Sequence, residues 1–239
     1  MGRVISPDLP QRIGLVGDVH TESLILERCL THLVRQGAGL LLCVGDVVDG
    51  PEEVNGAERA CELLQEYDVQ TVCGNHDRWL LEGSMRDLPD AIEAYELAPE
   101  VLAYLEQLPA TRTIQTVQGP LLLCHGIGED DMAVLVPPHT SYISTTPSIP
   151  LRGALRQVLN SNVRFVVNGH SHQHMVRELE GTLFINAGTL HREFAQSFAM
   201  MDFTSGEIVF YGLSPDASAP SELHRVSMLD PPQVAFSNA

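Results

Sequence analysis

The sequence predicts an α/β fold in which two β-sheets pack face to face with helices outside, a β-sandwich flanked by helices. Three observations carry this. Apolar strand-length runs alternate with helix-period segments from residue 12 to residue 72, the βαβαβ order of a parallel sheet. Strand-length runs separated by glycine turns fill residues 165 to 213. Several runs are apolar at every position, the mark of strands covered on both faces.

The elements follow in order. Arg12 to Val16 reads as the first strand. Ser23 to Gln36 reads as a helix with Leu26, Leu30 and Leu33 on one face and Gly37 as its stop. Leu40 to Val44 is a strand, and Pro51 opens a second helix in which Val54, Ala57, Cys61 and Leu64 recur at helical spacing. Val69 to Val72 is the third strand, and residues 78 to 109 look helical, broken by Pro89 and Pro99. Arg112 to Gln115 and Leu121 to Cys124 form a hairpin turning at Gly119-Pro120. Leu151 to Leu159 is a short helix. Phe165 to Asn168, Val176 to Leu179, Thr182 to Asn186, Ser197 to Phe203 and Glu207 to Leu213 are strands, with turns at Glu180-Gly181 and Ser205-Gly206. Residues 1–213 make one domain, and 214–239, with four prolines and no period, read as a tail on the surface or disordered.

A chain of 239 residues with 44% hydrophobic content supports a sizeable core. No run approaches the roughly 18 apolar residues of a membrane span, and the N-terminus lacks an apolar signal core. The expected address is cytoplasmic, with no membrane association. Met1-Gly2 through Ser6 matches a myristoylation pattern without a nearby polybasic patch and is read as chance. Five cysteines suit reduced, buried thiols better than a disulfide framework. The net charge of −17, from 14 basic and 31 acidic residues, excludes extended nucleic-acid binding. A compact anion drawn to bound cations remains compatible with it. Oligomeric state is open, because no helical face demands a partner.

Five strings carry the chemistry: Asp18-Val19-His20, Gly45-Asp46-Val47-Val48-Asp49, Gly74-Asn75-His76-Asp77, His125-Gly126 and Gly169-His170-Ser171-His172. Each falls where a predicted strand runs into a loop, at the end of an α/β sheet where ligands bind. Imidazoles, carboxylates and an amide without cysteine suit two divalent ions, Mn, Fe, Zn, Ni or Co, with Mn favoured. Asp46, after a tight glycine, is the natural bridge between two metals. Asn75 offers a neutral oxygen, and His125, His170 and His172 complete the shells.

In this order and spacing, over residues 12 to about 190, the strings resemble the calcineurin-like metallophosphoesterase superfamily. The resemblance implies a four-layer α/β/β/α fold and a binuclear site. Asp18, His20, Asp46 and His172 would hold one metal, and Asp46, Asn75, His125 and His170 the other. It makes His76 the general acid, with Asp49 orienting it. A metal-bridging hydroxide would attack phosphorus in line. The expected function is hydrolysis of small phosphomonoesters or phosphodiesters, with a small anionic phosphoester as the partner molecule. Alternatives are a protein phosphatase, a dinucleoside-polyphosphate hydrolase, or a catalytically silent scaffold. Gly50-Pro51 stands where the superfamily's protein phosphatases usually carry an arginine, and the third string ends in Asp77 where glutamate is usual. Both departures count against a phosphoprotein phosphatase. The intact His76 counts against the scaffold.

Arg78 and Arg192 are candidates to clamp a substrate phosphate, with a structural arginine as the alternative. Asp77 is either an accessory to His76 or a helix cap. His174 and His191 either line the pocket or are exposed or hydrogen-bonded elsewhere; His32, His139 and His224 read as surface. Residues 127–148 follow His125 directly and are either an active-site cap loop or a surface excursion.

Overall fold

A computed structural model describes residues 9–137, 149–213 and 219–230. The first half is β1 (Arg12–Val16), α1 (Ser23–Arg35), β2 (Leu40–Cys43), α2 (Glu53–Glu66), β3 (Gln70–Thr71), α3 (Asn75–Glu82) and α4 (Pro99–Glu106). Then follow β4 (Thr111–Thr116), β5 (Gly119–Cys124), α5 (Ile149–Asn160), β6 (Phe165–Asn168), β7 (Met175–Leu179), β8 (Thr182–Asn186), β9 (Ser197–Asp202), β10 (Glu207–Gly212) and β11 (Ser221–Ser227).

These strands make two mixed sheets, ordered β11-β10-β9-β1-β2-β3 and β4-β5-β6-β8-β7. Parallel pairing joins β1, β2 and β3 in one sheet and β5, β6 and β8 in the other. The sheets face each other across an apolar layer. Ile13, Leu15, Leu42, Met201 and Phe210 meet Leu123, Phe165, Val167, Leu183 and Ile185 there. Helices α1 and α2 cover the outer face of the first sheet through Leu26, Leu30, Ala57 and Leu64. Val158 of α5 packs on the outer face of the second sheet with Val166 and Phe184. The four layers are helix, sheet, sheet, helix. Strands β6 and β8 are buried at every position, which is why their interiors, Phe165 to Val167 and Leu183 to Ile185, are apolar.

Three expectations change. The supposed tail contains β11, the antiparallel edge partner of β10. It escaped notice because an edge strand exposes most of its side chains; only Val226 of the strand is buried. The 78–109 stretch is not one broken helix. Helix α3 stops at Gly83, in the left-handed conformation at φ 64°, and an irregular segment follows before α4. The hairpin between β4 and β5 turns at Val117-Gln118, with Gly119-Pro120 already in β5. The myristoylation pattern, His139, residues 138–148 of the proposed cap, and 214–218 and 231–239 of the tail lie outside the described residues. Among the described residues no helix is long and apolar enough to cross a membrane.

Candidate metal centre

The five strings converge between the two sheets. Asp18 and His20 follow β1, Asp46 and Asp49 follow β2, and Asn75 and His76 open α3 after β3. His125 follows β5, while His170 and His172 follow β6. Parallel strands bring their carboxyl ends to one edge, so motifs far apart in sequence meet there.

The loops lie on one another through backbone hydrogen bonds. Val19 and His20 donate to the Asp46 carbonyl, and Thr21 donates to that of Val47. Gly45, at φ 94°, and Gly74 are in mutual contact, and a side chain at Gly74 would fall on Asp46 itself. The motif glycines are therefore steric requirements of the crossing. His20, Asp46, Asp49, His170 and His172 all have positive φ, from 47° to 65°. Non-glycine residues adopt that region at a cost, and such strain gathers at functional sites.

The donor atoms form two groups. One atom each from Asp18, His20, Asp46 and His172 lie mutually within 4.8 Å, as do one each from Asp46, His125 and His170. Asp46 belongs to both. Its Oδ2 is 3.7 Å from His20 Nε2 and 3.2 Å from His125 Nε2, while its Oδ1 accepts the His76 backbone N–H at 2.8 Å. Asn75 Oδ1 lies 2.9 Å from His125 Nε2, which places a neutral oxygen beside the second group.

The tautomers are set from behind. His20 Nδ1 donates to the Asp49 carbonyl at 2.8 Å, and His125 Nδ1 donates to the Val44 carbonyl at 2.9 Å. A carbonyl can only accept, so each ring donates from Nδ1 and turns Nε2 toward the cluster. His20 Nε2 and His172 Nε2 stand 3.1 Å apart. Asp18 is fully buried, and among the described residues its Oδ2 has no hydrogen-bond partner. A buried carboxylate oxygen left bare, with imidazole nitrogens aimed at the same space, fits a divalent cation. Burial alone would lower His125, but the Asp46 carboxylate beside it carries the imidazole up to about 10. Burial would likewise raise Asp46, and His125 holds it low. Burial lowers His20 to about 4, against the pull of Asp46. The cluster thus attracts positive charge while His20 stays neutral and able to ligate.

His76 stands beside this cluster, its ring centroid 5.0 Å from that of His20. Its Nδ1 bonds Asp49 Oδ2 at 2.9 Å. Burial depresses His76, but this bond and the Asp46 and Asp49 charges raise it overall. Asp49 is gripped further by Arg86, whose Nη1 and Nη2 reach its two oxygens at 2.9 and 2.7 Å, and by the Ile92 N–H at 2.9 Å. Arg86 lies in the irregular segment after α3, so periodicity gave no sign of it. The one available clue is that a buried Asp49 requires a cation.

Both proposed phosphate clamps are engaged elsewhere. Arg78 binds both oxygens of Asp131, at 2.6 and 3.1 Å, and also Glu82. Arg192 binds both oxygens of buried Glu22, at 2.6 and 2.7 Å, and Glu52 at 2.9 Å. These carboxylates occupy both guanidinium groups, an arrangement that fits the structural reading of each arginine. Asp77 is a fastener: Oδ2 accepts the Gly74 N–H, and Oδ1 accepts those of Val47 and Val48. Burial, then Asp46, raises it to about 6 against those three bonds. His191 lies at the cluster, 5.1 Å ring to ring from His20, whereas His174 packs against Phe210 and His224. His32 is half-buried against Phe198 and Tyr211 rather than free on the surface. The described part of the 127–148 loop turns Ala133 and Leu135 into the outer core and supplies Asp131 to Arg78.

Comparison with known proteins gives a family and a fold. The family model described as the calcineurin-like phosphoesterase superfamily domain matches residues 12–206. The structure is similar to a hypothetical protein of Pyrococcus horikoshii OT3, with TM-score 0.66 and 13% identity over 86% of this chain and 88% of that one. It is also similar to a metallophosphoesterase of Sphaerobacter thermophilus, with TM-score 0.58 and 20% identity over 85% and 88%. The phosphoesterase Yfce of E. coli superposes with TM-score 0.54 and 18% identity over 91% and 99%. No curated protein matches by sequence.

Proposed function

The chain belongs to the calcineurin-like phosphoesterase superfamily, and from that premise we propose that it hydrolyses small phosphomonoesters or phosphodiesters using two divalent metal ions, manganese favoured. The observation that carries the reading is Asp46, whose carboxylate is common to both donor groups. Asp18, His20, Asp46 and His172 would hold one ion, and Asp46, Asn75, His125 and His170 the other. When bound, the ions would neutralise phosphate charge and bring the pKa of a water toward neutrality.

The remaining work falls to side chains. In the reaction, water oxygen bonds to phosphorus and the bond from phosphorus to the ester oxygen breaks. The departing oxygen takes a proton, and the water gives one up to solvent. His76 is the donor of the first proton. Its Nδ1 is committed to Asp49, so Nε2 is the nitrogen free to deliver it. Asp49 holds the ring in place and stabilises its charged form. The acidic surface favours a compact ester over a polyanion, and a cytoplasmic site of action fits the reduced cysteines.

The test is hydrolysis of p-nitrophenyl phosphate and bis-p-nitrophenyl phosphate by metal-stripped protein titrated with Mn, Ni, Zn and Mg. Metal-dependent turnover is expected, falling at least about a hundredfold in His76→Ala and disappearing in Asp46→Ala. The ratio of the two rates separates monoesterase from diesterase. Absence of turnover with every metal would leave the fold as a binding scaffold, and full activity in Asp46→Ala would refute the proposal.

A further inference from the structure

An unbroken file of rings crosses the site. Trp79 lies 4.8 Å from His76, His76 5.0 Å from His20, His20 5.0 Å from His172, and His172 4.5 Å from Phe194. We propose that Trp79, with Phe194 as the opposite rim, selects phosphoesters whose departing alcohol carries a flat aromatic ring. The proposal rests on the phosphoesterase reading and deepens it to a substrate class.

Three observations support it. Trp79 is half-buried and touches the side chain that donates a proton to the departing oxygen. Whatever leaves must therefore pass beside its indole. Phe194 is 49% exposed, with its ring against His172 and His191. Its N–H bonds the His191 carbonyl, and the preceding Arg192 is bound to Glu22 and Glu52. A large apolar ring exposed at the edge of a polar site is suited to contact with a ligand. Arg78 and Arg192, the nearby cations, are taken by carboxylates. The part of the ester beyond its phosphate would thus be gripped by rings rather than by charge.

Two sources of such a ring are a simple aryl ester, with the ring on the ester oxygen, and a nucleoside 5′-phosphate, with the ring one sugar away. The experiment compares adenosine 5′-monophosphate with ribose 5-phosphate, which share the same departing oxygen and differ in the base, and adds phenyl phosphate. Wild type loaded with Mn should prefer at least one ring-bearing ester. Trp79→Leu should lower kcat/KM for that ester by about ten- to hundredfold, the scale of one ring-on-ring contact, and lower ribose 5-phosphate less. A selective loss for phenyl phosphate or for the nucleotide would support the proposal and identify the source. Equal losses on all three would make Trp79 a positioning residue for His76 and overturn it.

Trp79 is the chain's one tryptophan, so its emission reports binding without turnover. In Mn-loaded His76→Ala, a saturable change with adenosine 5′-monophosphate or phenyl phosphate, and none with ribose 5-phosphate, is expected. No change with either ring-bearing ester overturns the proposal. Failure of every ester to turn over, bis-p-nitrophenyl phosphate included, counts against the phosphoesterase reading instead, because the fluorescence arm judges the ring independently.

Discussion

Asp49 is where His76, the proposed proton donor, meets the scaffold. One carboxylate accepts from His76, from two nitrogens of Arg86 and from the Ile92 N–H. Asp49 and Arg86 are 2% and 9% exposed, so neither charge has water to fall back on. Arg86→Ala should therefore cost about 3–5 kcal/mol in urea unfolding, the usual loss on breaking a buried pair from one side. A cost under about 1 kcal/mol would mean that the pair is solvated in solution. Burial would raise the Asp49 carboxyl, but its bonds to His76, Arg86 and Ile92 outweigh burial and lower it. A carboxyl depressed by folding contributes stability above its unfolded value of 3.8, lost as pH falls through the folded value. The stability gap between wild type and Asp49→Asn should grow as pH falls through the range where His76, raised by Asp49, takes up its proton, hold near pH 5, then narrow below about 4. A gap that failed to narrow below about 4 would contradict the assignment.

At the scale of elements, the site is a crossing of loops, and its steric demands are testable without any substrate. Gly74 opens α3 against Asp46 and Gly45. Gly74→Ala should destabilise the protein by about 1–3 kcal/mol, as overpacking does. It should weaken manganese binding too, because the displaced atoms belong to Asp46; calorimetric titration with manganese would reveal unchanged affinity if the crossing has slack. The same scale explains what was legible in the sequence. Strands β1, β6 and β8 end at the residues expected of them, because the interior of a strand covered on both faces is apolar and polar residues mark its ends. The ligand strings were legible because metal chemistry restricts them to few residue types. Arg86 and β11 were not. Arg86 sits in a segment without periodicity, and its role arises from a carboxylate 37 positions away. Strand β11 shows its polar side chains to solvent, so its buried contribution comes down to Val226 and the following Met228. The ion pairs of Arg78 with Asp131 and of Arg192 with Glu22 were illegible for a related reason, since these partners are distant in sequence.

At the scale of the molecule, the candidate metal centre is a fastening between the sheets. Asp18, His20, Asp46 and Asn75 come from loops of the first sheet, and His125, His170 and His172 from loops of the second. The His170 N–H donates across the gap to Asp18 Oδ1 at 2.9 Å, yet Asp18 Oδ2 is left bare and two carboxylates are buried close together. Like charges so placed, both on loops of the first sheet, repel each other unless a cation or proton joins them, and a cation there would also draw in the imidazoles of the second sheet. Ligands bound only by the folded state add stability by mass action, about 2.7 kcal/mol when free metal exceeds its dissociation constant a hundredfold. Manganese should therefore raise the unfolding midpoint of the whole chain, and chelator should lower it. Far-ultraviolet circular dichroism and emission from Trp79 should report the same shifted midpoint, because the fastening joins both sheets. The shift should survive in His76→Ala, which retains every proposed ligand, and vanish in Asp46→Ala, which loses the carboxylate common to both donor groups. Identical midpoints with and without manganese in wild type would refute a resident metal. A shift seen by Trp79 emission alone would confine the metal's influence to α3 and break the case for a fastening across the sandwich.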